Sequence, residues 1–169
     1  MMKPYPDYKD SGVAWLGKIP AHWKVILVKN FYHIQLGKML QPEKKLHDDL
    51  SFPYLKALHV QWFRVEQESL PEMWGQPSDI EKYGVKSGDL LVCEGGEGGR
   101  AAIIANLSKP CIIQNALHRV RSKAGSNLKF LQYVMFVISS TGWFDAICNK
   151  ATIAHFTKQK SQLSYLIKN

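Results

Sequence analysis

The run Gly88-Asp89-Leu90-Leu91-Val92-Cys93-Glu94-Gly95-Gly96-Glu97-Gly98-Gly99-Arg100 constrains the fold more than any other part of this chain. A short apolar segment leads directly into a cluster of glycines and then an arginine. Leu90 to Cys93 is bounded by turn residues and has no polar side chain, so it reads as a buried strand. Glycine adopts positive φ freely and lets backbone approach backbone. Gly95, Gly96, Gly98 and Gly99 therefore predict a structural turn where two chain segments cross closely.

The same glycines formally match a dinucleotide-binding fingerprint, since Gly96-Glu97-Gly98-Gly99-Arg100-Ala101 follows a strand. That motif needs a helix next, with a pyrophosphate at its N-terminus, and an acidic residue about 20 positions on. Here the interval from Arg100 to Pro110 is short for a crossover helix. The expected acidic position holds His118 and Arg119 instead. Arg119 keeps a 2′-phosphate contact open, so a nucleotide-binding enzyme stands as the alternative to a structural turn.

A chain of 169 residues, 46% of them apolar, suits one domain with a sizeable core rather than a disordered polymer. Lys and Arg exceed Asp and Glu by 22 to 14, a formal charge of +8, which suits a polyanionic partner. No apolar run is long enough to span a membrane, and the opening Met-Met-Lys-Pro-Tyr-Pro has no signal-peptide core, so a cytoplasmic protein is expected. Cys93, Cys111 and Cys148 are widely spaced, odd in number and without a Cys-x-x-Cys pair. They read as buried small apolar residues.

Along the chain, residues 1–24 are rich in Pro, Tyr and Trp and read as an extended wrap anchored by Trp15, Leu16, Ile19 and Trp23. A short helix is expected near Ile26 to Phe31, followed by a strand to Leu36. Gly37 to Lys45 is a loop by its Gly, Pro and charges. Tyr54 to Val60 and Trp62 to Ser69 read as strands, and Ser78 to Tyr83 as a helical turn. Further strands are expected at Ala101 to Ala105, Cys111 to Gln114 and Leu117 to Arg121. The period then changes. Asn127 can cap a long helix with Leu128, Leu131, Val134 or Met135, and Ile138 on one face, ending near Ser139 to Gly142. A short helix over Trp143 to Cys148 and another beginning at the cap Thr157 complete the expectation. Strands that do not alternate regularly with helices favour α+β over a doubly wound sheet. The expected fold is one domain with a central set of short strands, one long helix and small peripheral helices.

Nothing in the sequence points to catalysis. Asp48, Asp49, Asp89 and Glu94 are acidic but lack the spacing of a magnesium site, and the six histidines are scattered. Neither a Gly-x-Ser-x-Gly motif nor a Walker loop is present. No metal and no cofactor are called for.

Four ordered blocks carry a family resemblance. They are Asp10-Ser11-Gly12-Val13-x-Trp15-Leu16-Gly17-x-Ile19-Pro20-x-His22-Trp23, then Gly88-Asp89-Leu90-Leu91 with Glu94-Gly95-Gly96-x-x-Gly99-Arg100, then Gln114 to Arg121, and finally Ala151 to Thr157. Together they resemble a specificity subunit of type I restriction–modification systems. The resemblance implies a module that reads double-stranded DNA, one half of a split site per target recognition domain. It implies a non-catalytic subunit whose long helices dock methyltransferase and restriction subunits. On that pattern residues 25–160 form the target recognition domain, and 161–169 open a spacer that stops short of the family's long helix. A truncated remnant with a regulatory role is the other reading of such an ending.

Family-like blocks are read as scaffold, so DNA contacts are expected from the less patterned loops. Gln41, Gln61 and Gln67 can read adenine edges and Arg64 can read guanine. Lys38, Lys44 and Lys45 suit phosphates, as do Lys150 and Thr152 beside the closing block. Arg100 can meet a phosphate or brace the glycine turn. Trp62 can wedge against DNA or pack in the core.

Overall fold

The computed structural model describes residues 5–13, 16–94, 97–123, 125–140, 142 and, for the backbone, 165–168. The chain opens with a hairpin of β1 (Tyr8–Asp10) and β2 (Lys18–Pro20), followed by β3 (Lys24–Leu27), α1 (Val28–Phe31) and β4 (Tyr32–Leu36). After a loop come β5 (Leu50–Leu55), a 3-10 turn at Ala57–His59, and the short strands β6 (Val60–Gln61) and β7 (Arg64–Val65). Next are β8 (Glu72–Gly75), α2 (Asp79–Tyr83), β9 (Leu90–Cys93) and β10 (Ala101–Ile103). The last elements are β11 (Ile112–Ile113), β12 (Leu117–Ser122), α3 (Leu128–Ser140) and β13 (Tyr165–Lys168). This is the α+β domain with short strands and one long helix that the sequence predicts.

Two sheets form the centre. One is antiparallel throughout, in the order β10-β9-β12-β4. The other runs β11-β5-β8, with β11 parallel and β8 antiparallel to β5. Strand β9 shows how they stack. All four of its residues are buried, and side chains alternate between faces. Leu90 and Val92 pack with Tyr32, Ala101 and Val120 against Leu131, Met135 and Ile138 of α3. Leu91 and Cys93 point the other way, onto Leu55, Ile104, Cys111, Ile113 and Leu117. The smaller sheet uses its outer face as well, where Tyr54, Met73 and Ile112 meet Ile80 and Tyr83 of α2. The layers therefore run α3, larger sheet, smaller sheet, α2. Each fully buried aliphatic side chain in these interfaces contributes about 1.5–3 kcal/mol through removal from water.

Gly37 is where the two sheets join. Its amide donates to the Leu117 carbonyl of the larger sheet, and Lys38 next to it bridges Gln114 just beyond β11. A β-carbon at position 37 would fall 2.2 Å from the Gln114 carbonyl oxygen. No side chain fits, so glycine is required at this crossing.

Helix α3 begins where Asn127 was expected to cap it, with Asn127 Oδ1 accepting the Phe130 amide at 3.0 Å. Its buried residues Leu131, Met135 and Ile138 follow the predicted face, with Gln132 added. The opening segment is anchored by buried Ile19 and by Trp23, whose ring meets Phe130 edge-on at 5.9 Å.

Two strand expectations need correction. Tyr54 to Val60 is not continuous, because β5 ends at Leu55. There the His59 amide donates to the Lys56 carbonyl while the Lys56 amide donates to His59 Nδ1. These local bonds compete with a ladder and turn the chain. Trp62 to Ser69 is likewise not one strand, since only Arg64 and Val65 pair, and Phe63 and Ser69 both have positive φ. The helices expected at Trp143 to Cys148 and from Thr157, and the anchor Trp15, lie outside the described residues.

Candidate nucleic-acid interface

Among the described residues, most of those expected to touch DNA fall into two groups that flank β5 along the chain. The first is the loop from Lys38 to Asp49. Asp49 is its hub, only 3% exposed. Its Oδ2 accepts the Lys45 amide at 2.9 Å, the Leu46 amide at 3.0 Å and Gln41 Nε2 at 2.7 Å. Its Oδ1 accepts Gln76 Nε2 at 2.5 Å. The two backbone N–H donors stabilise the carboxylate most and hold Asp49 down to about 2. Gln41 thus spends its amide on ordering the loop.

Lys38 is also engaged inward, its ammonium 3.0 Å from Asp79 Oδ2, with both side chains mostly buried. Lys44 and Lys45 are exposed, and the Lys44 ammonium lies 5.5 Å from the centre of the Trp74 ring. That contact orients the side chain without removing its charge from solvent. Lys44 and Lys45 are the cations this loop presents.

The second group surrounds the β6–β7 hairpin. Gln61 pairs directly with Arg64, so Trp62 and Phe63 make a two-residue turn. Arg64 has 72% of its side chain exposed and meets Glu66 at 2.5 Å. Gln61 Nε2 donates to the Leu58 carbonyl at 3.0 Å. Trp62 Nε1 donates to Glu97 Oε1 at 2.8 Å, and its ring meets Phe136 of α3 edge-on at 5.2 Å. Trp62 is partly buried and anchors the hairpin on the helix and the glycine turn.

Phe63, which sequence reasoning passed over, has φ +65. For a bulky side chain that conformation is an outlier costing about 1–3 kcal/mol. The turn position it holds is one that glycine or asparagine usually occupies. No local signature gave this hairpin away, because its two turn residues are both aromatic and its strands are two residues each.

Arg100 ties the glycine turn to the 3-10 turn. Its guanidinium donates to the Ala57 carbonyl at 3.1 Å and to Glu97 Oε2 at 3.1 Å. Gly98 and Gly99 lie in that turn, Gly99 with φ +85. Gly95, Gly96, Lys150 and Thr152 lie outside the described residues, as does the closing block Ala151 to Thr157. Gln67 is engaged too, donating to the Asn106 carbonyl and accepting from Ser108.

The nucleotide alternative meets a physical obstacle. The segment after the glycines is strand β10, paired antiparallel with β9, rather than the helix whose N-terminus the motif requires. Arg119 is buried, and its guanidinium donates to the Gly84 carbonyl rather than standing ready for a phosphate. Beside it Arg121 makes a two-pronged contact with buried Asp89 at 2.7 and 2.8 Å. Of the acidic candidates, Asp49 and Asp89 are each saturated by donors in separate places. Among the described residues no group of three or more His, Cys, Asp or Glu side chains is placed to hold a metal. No helix among them is long and apolar enough to cross a membrane.

No protein-family profile matches the chain, and no curated protein sequence does. Solved structures do. A chain from a structure of the type I restriction–modification system, determined for its complex assembly and conformational transition, aligns with TM-score 0.62 and 15% identity over 95% of this chain and 36% of that one. The HsdS subunit from Thermoanaerobacter tengcongensis aligns with TM-score 0.57 and 13% identity, over 95% and 35% of the two chains. The type I restriction–modification S subunit from M. genitalium aligns with TM-score 0.53 and 14% identity, over 87% and 34%. The chain spans about a third of the length of the solved chains it matches. The fold is that of a domain of type I specificity subunits.

Proposed function

We propose that this protein is a target recognition domain that binds double-stranded DNA and reads one half of a bipartite site for a type I restriction–modification system. The observation that carries the reading is the likeness of fold, which extends over 95% of the chain. The formal charge of +8 supports it, as do exposed Lys44, Lys45 and Arg64.

In this reading the domain performs no chemistry and needs no cofactor. It binds in the cytoplasm, and its partners besides DNA are the methyltransferase and restriction subunits. Lys44 and Lys45 take phosphates, joined by Lys150 and Thr152, while Gln61 and Arg64 read base edges. Lys38, Gln41 and Arg100 shape the presenting loops through their internal contacts.

The test is retention of random-sequence duplex DNA on the purified chain at about 50 and 200 mM salt, with sequencing of the bound pool. Enrichment of a motif about three to five base pairs long is the expected result. Binding without enrichment, or no binding at the lower salt, overturns the reading.

A further inference from the structure

The geometry points to Phe63 as a specificity-determining residue that contacts a thymine 5-methyl group in the major groove, beside the bases met by Gln61 and Arg64. This rests on the DNA-reading function proposed above.

Two aromatic residues share the hairpin tip, and the structure gives them different tasks. Trp62 is turned inward, its indole N–H bound to Glu97 and its ring set against Phe136. Phe63 remains 43% exposed while its ring lies 5.2 Å from both Tyr133 and Phe136 and 6.2 Å from Trp62. Those three rings support Phe63 and leave part of its ring open to solvent. An exposed phenyl group in a left-handed backbone position gains less from burial than a core residue and carries strain besides. Such strain marks positions held for a task outside the fold.

The neighbours of Phe63 suit one task. A two-stranded ribbon fits the major groove, where thymine alone presents a methyl group and phenylalanine is one of the side chains that packs on it. Gln61 and Arg64 are cross-strand partners immediately behind the tip, with side chains on the same face of the ribbon. Their chemistry matches adenine and guanine edges. Glu66 holds the Arg64 guanidinium in the free protein. That pair is exposed and weak, so exchanging the carboxylate for a guanine edge costs little.

The experiment uses the full chain and the sequence enriched from random DNA, with each thymine in turn replaced by deoxyuridine, which lacks only the methyl. Wild-type protein is expected to lose about tenfold in affinity at one such position. Phe63→Gly, which relaxes the backbone as it removes the ring, loses a similar factor on the thymine site. It no longer distinguishes thymine from deoxyuridine there, while its salt dependence is unchanged. Phe63→Leu keeps an apolar contact and most of the discrimination, and it serves if the glycine variant does not melt cooperatively.

Wild-type indifference to deoxyuridine at every position overturns the inference, as does undiminished discrimination by Phe63→Gly. Either result leaves DNA reading intact if a motif is still enriched. Failure of the wild type to enrich any motif overturns both together.

Discussion

Asp49 organises its loop because a carboxylate with two oxygens can gather several donors that the chain brings close. Its pKa is depressed from 3.8 to about 2. The ionised form is therefore favoured in the folded state, and the contribution to stability is fully present above pH 4. It is lost as pH falls from about 4 through about 2. Urea unfolding of the wild type and Asp49→Asn across this range should show a gap in midpoint that is constant from pH 7 to 5 and narrows toward pH 2. A gap independent of pH would mean that the charge of Asp49 contributes nothing.

At this scale the chain is partly readable. Cys93 and Cys111 were expected to be small apolar residues, and both are buried, with burial pushing the Cys111 thiol up to about 11. The inward engagement of Lys38 and Gln41 was not readable. Their partners, Asp79 and Asp49, are supplied by folding, and a solvated lysine looks the same in sequence as an ion-paired one.

Among the elements, those with a long period or unbroken apolar character announce themselves. Helix α3 carries a cap, an apolar face and a terminating Ser-Ser-Thr-Gly, so its start after Asn127 was legible, and its end at Ser140 falls inside the expected span Ser139 to Gly142. Asn127→Ala removes the Asn127 Oδ1 acceptor for the Phe130 amide. It should lower stability by about 1 kcal/mol in chemical denaturation, with the slope unchanged. No change in midpoint would show that the cap is made by water instead. Strand β9 was legible for a related reason: both of its faces are buried, which leaves no place for a polar residue. Strands β6 and β7 were not, since two residues cannot display a period. What fixes them is packing of Trp62 and Phe63 against α3, a contact between segments far apart in sequence.

For the whole molecule, the layered order of α3, two sheets and α2 was legible only as a class. Nothing local tells the chain to cross from one sheet to the other at Gly37. The candidate interface was legible as a set of residue types but not as a place. Strand β5, six residues long and thus about 20 Å at 3.3 Å per residue, separates Lys44 and Lys45 from Gln61 and Arg64. A surface that engages both groups covers several phosphates. If six are neutralised, the logarithm of affinity should fall with the logarithm of salt concentration at a slope of about −5. Titration of labelled duplex at several salt concentrations measures this. A slope near −2 would mean that only about two phosphates are neutralised, as Lys44 and Lys45 alone would do.

Strand β9 carries none of Lys44, Lys45, Gln61 or Arg64; its two buried faces hold α3 and Trp62 on one side and the second sheet with Val60 of β6 on the other. On the proposed function, the frame and the side chains that would meet DNA are thereby different residues, even where they share a hairpin. Side chains such as Gln61 and Arg64 can then change with little penalty to the frame, and a new preference can arise by replacing them on a hairpin that Val60 and Trp62 keep anchored.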